Sequence, residues 1–426
     1  MGVRKMTTEA ATFTAPDHVP PDRVVDFDMY HPPGVEKGFH AAWKKLQDEA
    51  VGDIVWTPRN GGHWILTRGR AIHDVFADYQ RFSNKCILVP KEVGEKHTLL
   101  PTTIDPPEHR PYRMLLNSGL TPAAVRRIEG SIRQLAGSLI EQVRAEGRCN
   151  FTTAYAEKLP IHIFLMLVDL PVEDAPKLKY WADQMTRPDG SMPFEDATRA
   201  FYDYLDPVVD RLRERPGDDM LSHLVNGEVD GRKVTKDEAL ALSAQVLIAG
   251  LDTVVNFLSF AMLFLARNPD HRQELVDNPE LMPKAVEELF RRFPLVTIGR
   301  LVKEDTRFDG VSLRAGDMVI VPTELHGLDE RENRCPMDVD FHREDISHST
   351  FGYGPHRCPG MHLARAELAV TLEEWLSRIP DFQVAPDADI TYRGGLVGCI
   401  DALPLVWSTE KPRAVPLAGG ADQGTA

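Results

Sequence analysis

The stretch that most restricts how this 426-residue chain can fold is ALALSAQVLIAGLDTVVNFLSFAMLFLA, residues 239–266, which is apolar on nearly every side. TKDE precedes it, with Thr235 and Glu238 at capping-box spacing, and Pro269 stops it. The pattern predicts one helix of roughly 32 residues, about 48 Å long. A helix that is apolar all round must be wrapped by protein or by lipid. Ser243, Gln245, Asp252, Thr253, Asn256 and Ser259 are many polar groups for lipid, so a helix through the core of a large protein, with no membrane, is the expectation and a transmembrane span the competing reading.

Other segments fit that frame. Val125, Ile128, Ile132, Leu135, Leu139 and Val143 share one helical face, as do Leu363, Leu368, Leu372, Trp375 and Leu376. VWTPRNGGHWILT (55–67) reads as a hairpin around Asn-Gly-Gly, and 308–322 and 390–407 read as short strands. The class is therefore mainly α with small β-sheets. With no internal repeat or linker, a single domain is expected over 23–410, with a loose leader at 1–22 and a loose tail at 411–426. A net charge of -15 argues against nucleic acid as a partner. Five scattered cysteines make no disulfide framework and suit a reducing cytoplasm.

One of those cysteines stands apart. FGYGPHRCPG (351–360) surrounds Cys358 with three glycines, a histidine and an arginine, just before a helix. Backbone N–H groups, cations and a helix N-terminus all stabilise a thiolate, the form that binds metal. A buried free cysteine is the plainer reading, and zinc held with His342, His348, His356 or His362 is a third, without a second cysteine or a regular histidine pair in its favour. Glu288 and Arg291 stand at i, i+3 in PKAVEELFRRF, a spacing that usually makes a surface pair. Asp252 lies mid-way along the apolar helix, where a charge needs a partner or a task.

Phe351, Gly354, Cys358 and Gly360 together form F-x-x-G-x-x-x-C-x-G, which resembles the haem-binding loop of the cytochrome P450 family of haem-thiolate monooxygenases. AGLDT (249–253), the E-x-x-R of Glu288 and Arg291, and the H-x-x-x-R of His109 and Arg113 match further family motifs in the family's order. The resemblance implies the cytochrome P450 fold, with haem b between the long central helix and the cysteine loop. It implies Cys358 as iron ligand, Asp252 and Thr253 as a proton relay, and His109, Arg113, Arg300 and His356 as propionate partners. Ala249 and Gly250 would let the helix pass close over the porphyrin. Glu288 and Arg291 become a buried structural pair.

Within that family the sequence is similar over nearly its whole length to the bacterial camphor hydroxylases, through YAEKLPI, DQMTRPDGSM, GLDTVVNFLSF, GLDERENRCPM and ALPLVW. Positions carried over to the pocket are Leu88, His97, Thr102, Met185, Phe194, Gln245, Ile248, Ala249, Val296, Ile298 and Val397. Four depart from that family's pattern: His97 replaces a tyrosine, Leu88 an aromatic residue, Gln245 an aliphatic one and Ile298 an acid. The implied activity is hydroxylation of an unactivated C–H bond of a small cyclic terpenoid, such as camphor or 1,8-cineole, by O2. An ionone-type norisoprenoid is the alternative substrate, and a non-catalytic haem sensor or carrier the alternative class. Electrons would come from a [2Fe-2S] ferredoxin and its NAD(P)H-dependent reductase, docking on Arg110, Arg113, Arg357 and Arg365 of a cytoplasmic monomer.

Overall fold

The computed structural model describes residues 14–96 and 98–409. His97 and the tail at 411–426 lie outside the described residues, as do residues 1–13 of the leader. The elements that position the site are, in chain order, β1 (Ile54–Thr57), β2 (His63–Leu66), β3 (Phe82–Ser83), α1 (His109–Ser118), α2 (Pro122–Arg144), α3 (Lys158–Leu167), α4 (Ala175–Thr186), α5 (Phe194–Glu214), α6 (Lys236–Arg267), α7 (Met282–Arg292), β4 (Thr297–Val302), β5 (Met318–Pro322) and α8 (Met361–Arg378).

The hairpin forms because Asn60, Gly61 and Gly62 take φ of 51°, 86° and 80°, left-handed values that Asn and Gly tolerate. They set β1 against β2 in antiparallel register from Ile54↔Leu66 to Thr57↔His63. The sheet continues in the order β1-β2-β5-β4-β3, with β5 parallel to β2 and antiparallel to β4. The described part of the expected leader, from residue 14 to 22, is packed at its middle. Val19 is buried, and His18 Nε2 lies 2.9 Å from Asp317 Oδ2, so packing starts before residue 23.

The long helix spans the predicted residues. At its N-terminus Thr235 Oγ1 accepts from Glu238 N–H while the Glu238 carboxylate accepts from Thr235 N–H, closing the capping box. α3, α4 and α5 pack along α6, and 72% of its most apolar 18-residue window is buried inside the protein. Its apolar surface is thus covered by neighbouring helices, which decides for the core reading. Gly250 is explained by that packing. A Cβ there would come within 2.5 Å of the Phe164 ring on α3, so the missing side chain lets two helices approach rather than clearing space on the open side.

Candidate active site

The cysteine loop is a tight reversal. Gly352 and Gly354 adopt φ of 65° and 69°, and a Cβ on Gly354 would come within 2.9 Å of the Phe76 carbonyl oxygen. Cys358 N–H donates to the Phe351 carbonyl at 2.7 Å, closing the bend, and Gly360 is the N-cap of α8. Burial pushes the Cys358 thiol up, while the Gly360 N–H and the charges of Arg113, Arg365 and Arg357 pull it back towards the thiolate. Pro359 contributes no N–H. No cluster of three or more metal-ligating side chains occurs among the described residues, so the zinc reading has no geometry behind it.

Beside this loop lies a group of cationic and imidazole side chains with spare hydrogen-bonding capacity. His109 and His356 face each other with ring centroids 4.2 Å apart, and the Nε2 of each is buried without a partner. Burial, helped by nearby Arg113 and opposed by Asp105, pushes His109 down to about 4, and burial with Arg300 and His109 pushes His356 to about 2, so both are neutral at pH 7. Arg300, on β4, is buried over the Phe76 ring and donates to the Gly299 carbonyl; among the described residues it forms no salt bridge. Burial lowers its pKa to about 10.

On the other side, α6 carries Asp252 in a four-part clamp. Arg187 Nη1 and Nη2 donate to its two oxygens at 2.6 and 2.7 Å, Thr186 Oγ1 donates at 3.1 Å, Asn256 Nδ2 donates at 2.7 Å, and Lys179 Nζ stands 3.6 Å away. Burial opposes ionisation, yet the Arg187 guanidinium, helped by Lys179 and Thr186, overrides it and holds Asp252 well below the usual carboxylate range. Thr253, next in sequence, is half-buried and donates weakly to the Ala249 carbonyl at 3.4 Å. Sequence reasoning missed Arg187, Lys179 and Asp183. They lie some 70 residues upstream; the family word DQMTRPDGSM contains Asp183 and Arg187 but not Lys179.

Residues 192–390 match the cytochrome P450 family model. A probable cytochrome P450 127A1 from Sinorhizobium fredii is 33% identical over 92% of this chain and 97% of its own length. The chain is a cytochrome P450. Among solved P450 structures, CYP101J2 is 48% identical with a TM-score of 0.85, covering 92% of this chain and 100% of that one, and CYP101C1 is 42% identical with a TM-score of 0.86 over 93% and 100%. The chain therefore stands close to the CYP101 group, and as a P450 monooxygenase it is an enzyme, which sets aside the sensor or carrier reading.

The P450 cofactor is haem, and the residues present fit it. Two orphaned imidazole nitrogens and a buried unpaired guanidinium are what two propionates would satisfy, beside a cysteine whose backbone donor and cations favour a thiolate. Arg113 is less free than expected, because its Nη2 donates to the Arg357 carbonyl and its Nε to Asn117 Oδ1 at 2.8 Å.

Glu288 and Arg291 on α7 form a fully buried pair, and Arg343, unforeseen from sequence, adds two contacts of 3.1 Å to the Glu288 carboxylate. One docking expectation needs correction. Arg365 is paired with Glu287 through Nε and Nη2 and stacks over Phe351 at 4.5 Å from the ring centroid, so its charge is neutralised within the fold. Arg110 and Arg357 are exposed.

The positions expected to line the pocket come from several elements. Val296 bridges Val397, Leu396 N–H donates to the Thr186 carbonyl beside Met185, and Arg187 Nη1 donates to the Val397 carbonyl, so one wall and the Asp252 clamp share atoms. Leu88 lines a crevice with Tyr30, Thr297 and Leu396. Ile298 lies half-buried on β4, two residues before Arg300. Asn84 Nδ2 donates to the Thr102 carbonyl, and Phe194 opens α5, packed against the core. Gln245, Ile248 and Ala249 lie on α6.

Proposed function

We propose that this P450 hydroxylates an unactivated C–H bond of a small cyclic terpenoid, with O2 and electrons from a [2Fe-2S] ferredoxin and its NAD(P)H-dependent reductase, in the cytoplasm. A bicyclic monoterpenoid such as camphor or 1,8-cineole is the first substrate class. Half-buried Ile298 and the short Leu88 side chain keep an ionone-type ketone as the second. The observation that carries the reading is the open face of α6, where exposed Ala249 sits one turn before the Thr253 hydroxyl, with the clamped Asp252 directly behind.

When bound, thiolate-ligated haem supplies dioxygen activation, with sulfur electron density favouring O–O cleavage. The residues around it do the positioning. Cys358 presents its sulfur from a bend fixed by the Phe351 carbonyl. His109, His356 and Arg300 supply donors for the propionates. Thr253 holds a proton at Oγ1 at the cleft, and Asp252 stands behind it as a carboxylate that takes up a proton and passes it on. Asp183 is 30% exposed and bonded to both Lys179 (2.5 Å) and Arg187 (2.8 Å), so the clamp reaches solvent, and partner exchange between Asp183 and Asp252 gives protons a route inward. The mostly apolar walls exclude water elsewhere.

The test is a panel of bicyclic monoterpenoids, ionone-type ketones, fatty acids and steroids, screened for the haem spin-state shift and then for hydroxylated product with a reconstituted ferredoxin system. Shifts and products from the first two classes support the reading. A response confined to fatty acids or steroids overturns it.

A further inference from the structure

Between residues 241 and 263, α6 is buried except at Gln245, Ile248, Ala249, Gly250, Thr253 and Val254. Four of them, Gln245, Ile248, Ala249 and Thr253, are three and four apart and share one stripe, which includes the exposed Ala249, while Gly250 faces Phe164 on α3. Only two of them carry polar side chains. Thr253 bonds back to its own helix. Gln245 does not: its Oε1 is sealed from solvent and no group of the described residues bonds to it. The buried glutamines among the described residues differ in this respect. Gln47 donates to the Thr67 and Leu325 carbonyls at 2.7 and 2.8 Å, and Gln184 accepts from the Asp189 N–H. An amide oxygen left without a partner costs roughly 1–3 kcal/mol, a cost removed when the amide turns that oxygen to a donor in the cleft.

We propose that Gln245 is the polar anchor for substrate and that the function it selects is a hydroxyl. This rests on the terpenoid reading above and names the oxygen chemistry within it. A hydroxyl both donates and accepts, so it satisfies either end of the amide, whereas a ketone or ether satisfies only the N–H end and a hydrocarbon neither. The distances suit a small ring system. Gln245 is one turn from Ala249 and two from Thr253, about 6 Å and about 12 Å along the axis, so a compact skeleton held at Gln245 extends its far carbons toward the relay hydroxyl.

The experiment compares three ligands of one bicyclic skeleton, the hydrocarbon, the ketone and the alcohol, by calorimetric dissociation constants on the haem-loaded protein, on Gln245→Leu and on Gln245→Asn. Haem content and the reduced carbonyl spectrum verify folding of each variant. The parent is expected to bind the alcohol about tenfold tighter than the hydrocarbon, with the ketone between them. Gln245→Leu should lose that preference while keeping hydrocarbon affinity, and Gln245→Asn, one methylene shorter, should lose most of it. Equal preference in the parent and Gln245→Leu, or a parent that favours the ketone, overturns the anchor and leaves the terpenoid reading standing. If none of the three binds the parent while a non-terpenoid does, both fall.

Discussion

Two buried acid–arginine networks flank the site, one behind the cysteine loop and one beside α6, and they are built to opposite specifications. In the first, Glu288 and Arg291 are both 0% exposed, and every donor on Arg291 has a partner. Nε and Nη2 reach the carboxylate, Nη1 the Gly327 and Pro336 carbonyls, and Nη2 also the Asp338 carbonyl. In the second, Asp252 is 1% and Arg187 4% exposed, but the network runs on to Lys179 and the partly exposed Asp183, and Arg187 Nε has no partner. A network with no spare group can only hold. A network with two acids sharing two cations can exchange partners at little cost, which suits passage of protons and not bracing.

The sharpest way to break this comparison is to cut the closed network. Glu288→Gln leaves Arg291 and Arg343 buried beside a neutral amide, and a stability loss of about 3–5 kcal/mol is expected in urea unfolding, with poor haem retention. A loss below about 1 kcal/mol would show that the pair does not brace the fold. The open network should instead respond in function. Thr253→Ala is expected to lower hydroxylated product per electron pair roughly ten- to a hundredfold while oxygen consumption continues and stability barely moves. Unchanged coupling would remove Thr253 from the relay.

Glu367 on α8 sharpens the contrast by lacking a cation altogether. It is buried, its Oε1 has no partner, and burial pushes its carboxyl up to about 8. Between the ordinary carboxylate value near 4.5 and pH 8, the unfolded chain releases a proton that the folded chain keeps, so this group lowers stability as pH rises through that window. Asp252 has the opposite sign. Its depressed pKa gives stability that is present above about 3.8 and lost only in acid. Glu367→Gln is therefore expected to raise the unfolding free energy at pH 8 by something on the order of 1 kcal/mol and to leave it nearly unchanged at pH 5. Equal effects at the two pH values would show that Glu367 is ionised in the fold.

The smallest effect belongs to the surface. Arg110→Ala with Arg357→Ala should slow ferredoxin-driven reduction several-fold at low salt and converge with the parent at high salt, as read by stopped-flow, because exposed charges steer encounter and are screened. Arg365→Ala tests the same comparison from the other side. With its charge already paired to Glu287, it is expected to lower stability more than docking.

Much of this arrangement is readable in the chain before any coordinate. The capping box at Thr235 and Glu238 marks the start of α6, and the Asn-Gly-Gly turn marks the hairpin, because both are encoded within a few residues. The cysteine loop is legible for the same reason: left-handed backbone at Gly352 and Gly354 requires glycine where it occurs. Arg187 was not legible as a partner of Asp252, nor Arg343 of Glu288. Each pair joins residues 55 or more apart, and a lone arginine in a helix end or a loop carries no mark of what it will meet. Gly250 was legible as a close approach but not as to its neighbour, which proved to be Phe164.

The sequence by itself determined the elements, the bend that presents Cys358, and the family, since local backbone preferences and hydrophobic spacing act over a few residues. Only the tertiary structure decided which charges are shared, which are sealed, and that the Gln245 amide is left without a partner. Hydrogen bonding and burial depend on what the folded chain brings within about 3 Å, and side chains far apart in sequence acquire that proximity only when the helices have packed.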